Sequence, residues 1–251
     1  MSSAIPPLCE ADDATFWPWF SSPALAAWPD RPRTVVVLPL AGLADWGLGH
    51  PLDAEETVLL QVLAGASRRR PPDRRLLVLP PLRFVAGPAP GCAFAIEPPA
   101  AQAQIAEVAA SVGAAGFRRI VLFNASPWNE EVCAAAARDL RVGRGLHMFC
   151  INLGSIGIDF HPVRSRDRRR VQTLVTALTG RSPEAPPPGE PPPPRWGEET
   201  VTPLAGPAVA LEPARLEGAA TLAATADRLA ALLGEVGARD ALRSDGRIDW
   251  S

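Results

Sequence analysis

The feature that most constrains this chain is the apolar run Thr34-Val35-Val36-Val37-Leu38, which stops at Pro39 and gives way to a loop reading PLAGLADWGLGHPLDAEE as far as Glu56. A short β-branched run without polar alternation is a strand buried on both faces, the situation of a parallel sheet covered by helices. In such sheets the loop at the strand end carries the site. This loop holds His50, the first histidine of the chain, with Asp45, Asp53, Glu55 and Glu56 around it. It also holds Trp46, a costly residue on a loop unless it fills something.

The same pattern then repeats along the chain. Ala54 to Ala66 reads as an amphipathic helix with acidic residues in its first turn, so Glu55 either faces the sheet edge or only complements the helix dipole. Leu76 to Leu79 is a second strand, Ala100 to Ala115 an alanine-rich helix, Gly116 to Asn124 a turn and third strand, and Glu130 to Leu140 a further helix. Leu146 to Leu153 is a fourth strand, with His147 at its start as a structural residue; residues 164–181 form a helix, and Leu216 to Leu242 an Ala/Leu-rich one that packs back on the same domain. Strands alternating with helices imply an α/β fold around a mostly parallel sheet. With 251 residues, 47% of them hydrophobic, the expectation is a single domain over residues 1–251 with a substantial core.

Charge and cysteine usage exclude several functions. A net charge of −2 gives no global field to recruit nucleic acid or an anionic membrane. All 25 basic residues are arginine, so lysine-based Schiff-base chemistry is ruled out. Cys9, Cys92, Cys133 and Cys150 are scattered, without metal-ligand or redox spacing, and read as reduced thiols. The N-terminus lacks the layout of a signal peptide, and no apolar run is long enough to span a bilayer. A soluble cytoplasmic protein is expected.

Four segments suggest contact surface. Residues 1–30 form an aromatic N-terminal arm, where Phe16, Trp17, Trp19, Phe20 and Trp28 either clamp the arm to the domain or anchor a neighbouring subunit. Ser67 to Arg75 (SRRRPPDRR) is a basic connector, read as a solvated turn or as a phosphate-binding one. The basic first half of the 164–181 helix opposes its own dipole and asks for a counter-charge, which an acidic protein partner suits better than nucleic acid. Residues 181–196 are a Pro-rich extended surface segment within the domain.

The stretch Gly116-Phe117-Arg118-Arg119-Ile120-Val121, with Asn124 and Asn129 beyond it, closely follows the pattern Gly-Phe-Arg-Arg-Ile-Val-x-x-Asn-Gly-His-Gly-Gly-Asn. The earlier loop keeps the Pro39, Gly47, Pro51 and Leu52 frame of Pro-x-Gly-Ser-x-Glu-Gln-His-Gly-x-His-x-Pro-x-x-Thr-Asp, and Pro80-Pro81-Leu82-Arg83-Phe84 and Pro90-Gly91-Cys92 follow a third pattern. Over residues 33–145 the chain thus resembles the creatininase (creatinine amidohydrolase) family. The resemblance implies a three-layer α/β/α fold, metal-dependent hydrolysis of amide or cyclic amide C–N bonds, and oligomers that are commonly hexameric.

Residue by residue, the same resemblance places the metal-binding Glu on Ala44, the metal-binding His on Trp46 and the bridging Asp on Glu55. Ser126 stands for a second ligating His and Trp128 for the ligand after it, while Asn124 and Asn129 persist as loop braces. His161 falls near a family His-Ala-Gly-Glu motif but no glutamate follows, leaving Asp159 and His161 as a fallback acid–base pair. A two-metal hydrolase needs several His, Asp or Glu donors converging on cations about 3.5–4 Å apart. The motif loops retain only Asp45, His50, Asp53 and Glu55. The expectation is therefore a catalytically inactive protein without metal or other cofactor, its pocket of Ala44, Trp46, His50, Asp53, Glu55, Asn124, Ser126, Trp128 and Asn129 filled by the two tryptophans. It would serve as a structural or regulatory subunit of a homo- or hetero-oligomer, beside an active homologue. Two alternatives stand: a hydrolase with a rearranged site of His50, Asp53, Glu55 and His161, with zinc or manganese on His50 and Glu55, and a small-molecule binding module whose apolar pocket the tryptophans line.

Overall fold

The computed structural model describes residues 15–71, 73–87, 92–184, 204 and 210–239. Cys9, the first part of the aromatic arm, Pro90, Gly91 and most of the Pro-rich segment lie outside the described residues. Among the described residues six α-helices are formed: α1 (Ser22–Ala26), α2 (Ala54–Arg69), α3 (Pro98–Ala114), α4 (Glu130–Arg144), α5 (Arg168–Thr179) and α6 (Leu211–Ala238). The strands are β1 (Val35–Ala41), β2 (Leu43–Ala44), β3 (Leu76–Val78), β4 (Leu82–Arg83), β5 (Val85–Ala86), β6 (Cys92–Ala93), β7 (Ala95–Ile96), β8 (Arg119–Asn124) and β9 (His147–Asn152).

Strand β1 is buried at every residue and lies inside a parallel sheet of order β3-β1-β8-β9, with β4 pairing β1 beyond the end of β3. Alternate residues of the strands feed two cores, as the two-residue period of a strand requires. Val35, Val37, Val121, Phe123 and Ile151 face α2, α5 and α6, meeting Leu59, Leu63, Leu174 and Leu229. Val36, Leu38, Leu40, Ile120, Leu122 and Met148 face α3 and α4, meeting Ile105, Ala109, Ala136 and Leu140. Helices on both faces of a mostly parallel sheet make the three-layer α/β/α fold. Each fully buried aliphatic side chain in these cores contributes about 1.5–3 kcal/mol relative to exposure.

A proline inside an interior strand needs a reason, because it withdraws a ladder donor. Val37 O accepts from Leu79 N and Ala41 O from Phe84 N, so Pro39, between them, faces the same neighbour. That neighbour is broken there: β3 ends at Val78 and β4 begins at Leu82, with Pro80 and Pro81 between. Pro39 therefore costs no hydrogen bond.

The described part of the aromatic arm clamps the domain. Val78 N donates to Thr15 O at 2.8 Å, so residues 15 and 16 cover the open edge of β3. Trp17 packs on Phe117 at 4.9 Å between ring centroids and Phe20 on Trp28 at 5.2 Å, while Trp19 stays 49% exposed. Helix α6 begins at Leu211 instead of Leu216, because Pro213 fits a first turn where no intrahelical donor is needed. Helix α5 is shorter than expected, starting at Arg168, where Asp167 Oδ1 caps Arg170 N at 2.9 Å. Part of the counter-charge expected from a partner is internal, since Arg164 pairs with Glu130 and Asp159, while Arg169 and Arg170 make hydrogen bonds to the neutral side chains of Gln172 and Thr221.

Candidate functional site

The chain leaves β1 for β3 on one side and then crosses to β8 on the other, so β1 and β8 flank a topological switch point. Crevices at the C-terminal ends of strands there are the usual binding places of parallel sheets. The loop after β1 and the turn after β8 meet at this point. Glu55, in the first turn of α2, points inward and is fully buried, which decides between the two placements open to it.

Its carboxylate is held by donors of the protein itself. Gly42 N donates to Oε2 at 2.5 Å and Trp46 Nε1 to Oε1 at 2.9 Å. Burial outweighs these bonds and pushes the Glu55 pKa up to about 7, while Gly42, Trp46 and Ser126 pull against the rise. Ser126 Oγ is turned to the same carboxylate without completing a hydrogen bond of ordinary geometry. Position 42 must be glycine for this approach: a Cβ there would lie 2.6 Å from Val85 Cγ2 and 3.1 Å from Glu55 Oε2.

An aromatic stack covers the carboxylate. Trp46, 3% exposed, stacks on Trp128 with ring centroids 6.2 Å apart and planes at 17°, and packs against Phe160 at 6.2 Å. Trp128 meets the His161 ring at 5.6 Å. Helix α5 holds the loop from outside through Arg168 Nη2 to Trp46 O at 2.5 Å and Gln172 Nε2 to Leu48 O at 2.8 Å. Beyond α5 the chain returns to the loop at two points, Glu184 N to Gly49 O and Leu204 N to Gly47 O.

The remaining site residues divide. Asn124 Nδ2 donates to Ser126 O at 2.8 Å and to Asn152 Oδ1 at 3.1 Å, and its Oδ1 accepts from Ser126 N. Asn129 bridges Phe84 O and Ala86 N, tying the β4–β5 segment to the start of α4. Ala44 is buried in the core under the loop. Asp45 and Asp53 are exposed; Asp45 accepts from Gly47 N in its own turn and lies near enough to Arg168 to feel its charge. His50 is not joined to Glu55: its Nε2 meets Gln172 O at 3.2 Å and Thr176 Oγ1 at 3.1 Å, Nδ1 is buried without a partner, and burial lowers its pKa. Asp159 and His161 share a turn without forming an acid–base pair. Asp159 binds Arg164 and the backbone of His161, whose Nδ1 accepts from Val163 N and Arg164 N.

Sequence reasoning missed three contributors. Phe160 joins the aromatic stack, Cys92 lies near enough to Glu55 to feel its charge, and the buried Glu56 pairs with the exposed Arg83 at 2.6 Å. Burial, then Glu55, pushes the Cys92 thiol up to about 12, so it supplies no thiolate nucleophile at neutral pH. An arginine in the apolar Pro80–Phe84 turn was the available signal for the Glu56 pair.

The creatininase family model, described as creatinine amidohydrolase, matches residues 20–185. The chain belongs to the creatininase family. Solved structures agree in fold. A protein described as a creatinine amidohydrolase from Bacteroides fragilis NCTC 9343 has a TM-score of 0.64 at 15% identity, over 91% of this chain and 98% of that one. A glutamate-to-glutamine mutant creatininase in complex with creatine gives 0.64 at 17%, over 90% and 100%, and a creatininase structure 0.62 at 18%, over 90% and 99%. A search of curated proteins finds no match.

Among the solved neighbours are a manganese creatininase and a mutant of Zn–Zn type. The described residues do not present such a centre. Among the described residues no three His, Cys, Asp or Glu side chains are grouped so as to hold a metal ion. Glu55, which the sequence resemblance sets opposite the family's bridging carboxylate, has N–H partners on both oxygens.

Proposed function

We propose that this creatininase-family chain is catalytically silent at the family's site and serves as a structural or regulatory subunit in a hetero-oligomer with an active enzyme. The observation that carries this reading is the bonding of Glu55. Neutral N–H dipoles from Gly42 and Trp46 occupy the lone pairs that a bridging carboxylate would give to cations, and the Trp46 ring fills the space beside them. Hydrolysis of a C–N bond needs an activated water and a polarised carbonyl. Among the described residues, no metal-ligand group accompanies Glu55 to supply either.

The test is metal binding and turnover by the protein purified alone. After exposure to zinc and manganese, mass spectrometry should find less than about a tenth of an equivalent retained, with no turnover of cyclic amides. One or two tightly held equivalents, lost on Glu55→Ala, would sink the proposal and favour the rearranged hydrolase. Affinity purification from the source cells should recover a catalytically competent partner in stoichiometric amount.

A further inference from the structure

The opposite end of the sheet carries a second feature, independent of Glu55. Three adjacent parallel strands carry arginine at or just before their starts: Arg119 is the first residue of β8, Arg75 immediately precedes Leu76 of β3, and Arg33 lies two residues before Val35 of β1, which pairs in register with both Leu76 and Arg119. Val35 N donates to Arg75 O at 3.1 Å, which fixes these strand starts side by side. The basic connector of residues 67–75 returns to this edge and adds Arg70 and Arg74.

These side chains surround a cavity of about 180 Å³. Its wall includes Arg33, Arg70, Arg74 and Arg75, two exposed carboxylates, Asp30 and Asp73, and an apolar floor of Val35, Leu76 and Leu233. Four guanidinium groups against two carboxylates leave a surplus of two positive charges. The fully buried Arg119 stands behind the wall, donating to Val236 O and Gly237 O at the end of α6. Arg74 donates to the same Gly237 O at 3.2 Å and pairs only distantly with Asp73, at 3.7 Å. Arg70 is bound to Ser67. Arg33 and Arg75 are different: among the described residues neither forms an ion pair or a side-chain hydrogen bond.

We propose that this cavity binds a phosphate-sized oxyanion, as inorganic phosphate or as the phosphate group of a small monoester, held by Arg33 and Arg75. Guanidinium forks match the tetrahedral oxygens of phosphate and give charge-assisted hydrogen bonds. The small volume admits the anion and little beyond it, so a larger ligand extends past Asp30 into solvent. A bound anion joins the starts of β1 and β3 to the connector beside the end of α6.

Isothermal titration of the full chain with inorganic phosphate, at constant ionic strength kept by chloride, tests the site. Saturable one-to-one binding at millimolar concentration or below is expected, with sulfate competing and chloride not. Arg33→Ala and Arg75→Ala should each weaken binding about tenfold, the loss of one charge-assisted bond. Arg144→Ala, on the exposed end of α4, should leave it unchanged. Both cavity arginines are exposed, so the variants should keep the wild-type melting temperature in phosphate-free buffer. Phenyl phosphate distinguishes the sources: tighter binding than inorganic phosphate assigns the site to a monoester, equal or weaker binding to the free ion. No saturable binding, or equal binding by wild type and the Arg33→Ala/Arg75→Ala variant, overturns the proposal.

Discussion

Glu55 makes the protein's stability depend on pH in an unusual direction. Its folded-state pKa is raised to about 7 from 4.5, so its contribution is fully present below about pH 4.5 and is lost as pH rises through 7. The loss is on the order of 3 kcal/mol. His50 and His147, both with pKa values lowered first by burial, act oppositely, destabilising the fold as pH falls below about 6.5. The Glu55 contribution is therefore read as a difference. Urea denaturation at pH 5 and pH 8 should show wild type losing stability relative to Glu55→Gln as pH rises. The substitution carries its own pH-independent cost, since an amide NH2 opposes one of the two N–H donors; an unchanged difference between the two pH values would refute the assignment.

Trp46 separates packing from hydrogen bonding at the same scale. Trp46→Ala should cost about 3–5 kcal/mol by opening a cavity under the stack. Trp46→Phe keeps most of the volume and loses only the indole donor to a buried carboxylate, about 1–3 kcal/mol. Chemical denaturation at pH 8, where the carboxylate is charged, should rank the variants in that order.

At the scale of elements, the site is a junction of β1, α2, β8 and α5 more than a pocket. Gly42→Ala tests the closeness of that junction. The added methyl falls 2.6 Å from Val85 Cγ2, so the turn after β1 must shift away from Glu55, at about 1–3 kcal/mol. Asn129→Ala should cost about 2–4 kcal/mol, because Phe84 O and Ala86 N each lose a partner. Hydrogen exchange should show the loss confined to the β4–β5 segment and the start of α4; protection lost evenly across the sheet would mean that Asn129 does not act as a local brace.

For the whole molecule, the fold is the family's, and the sequence resemblance sets Ala44, Trp46, Ser126 and Trp128 opposite the family's metal ligands. Restoring donors is the corresponding experiment: Ala44→Glu, Trp46→His, Ser126→His, Trp128→Glu and Glu55→Asp together should convert a protein with negligible zinc into one that takes up metal, measured by mass spectrometry after dialysis. If the substituted chain folds, by its circular dichroism, yet takes up none, the correspondence of these positions to the ligand set is wrong.

Much of this was legible in the residues. The apolar run at Val35, the helical patterns between strands and the Gly116–Asn124 motif determined a parallel α/β sheet with its loop after β1 at the sheet edge, because strand and helix periods are local properties of sequence. The residue types at Ala44, Trp46, Ser126 and Trp128, which the resemblance sets opposite the family's ligands, were equally visible in the sequence. The tertiary structure alone decided where the remaining polar groups point. Glu55 turns inward to Gly42 and Trp46, Asp53 stays outside, His50 joins α5, and Asp159 binds Arg164 instead of the His161 ring. These outcomes depend on partners far apart in sequence and on which buried groups find donors. The hydrophobic pattern specifies a strand's faces, but a carboxylate's partner is set by long-range packing and the cost of leaving buried charge unpaired.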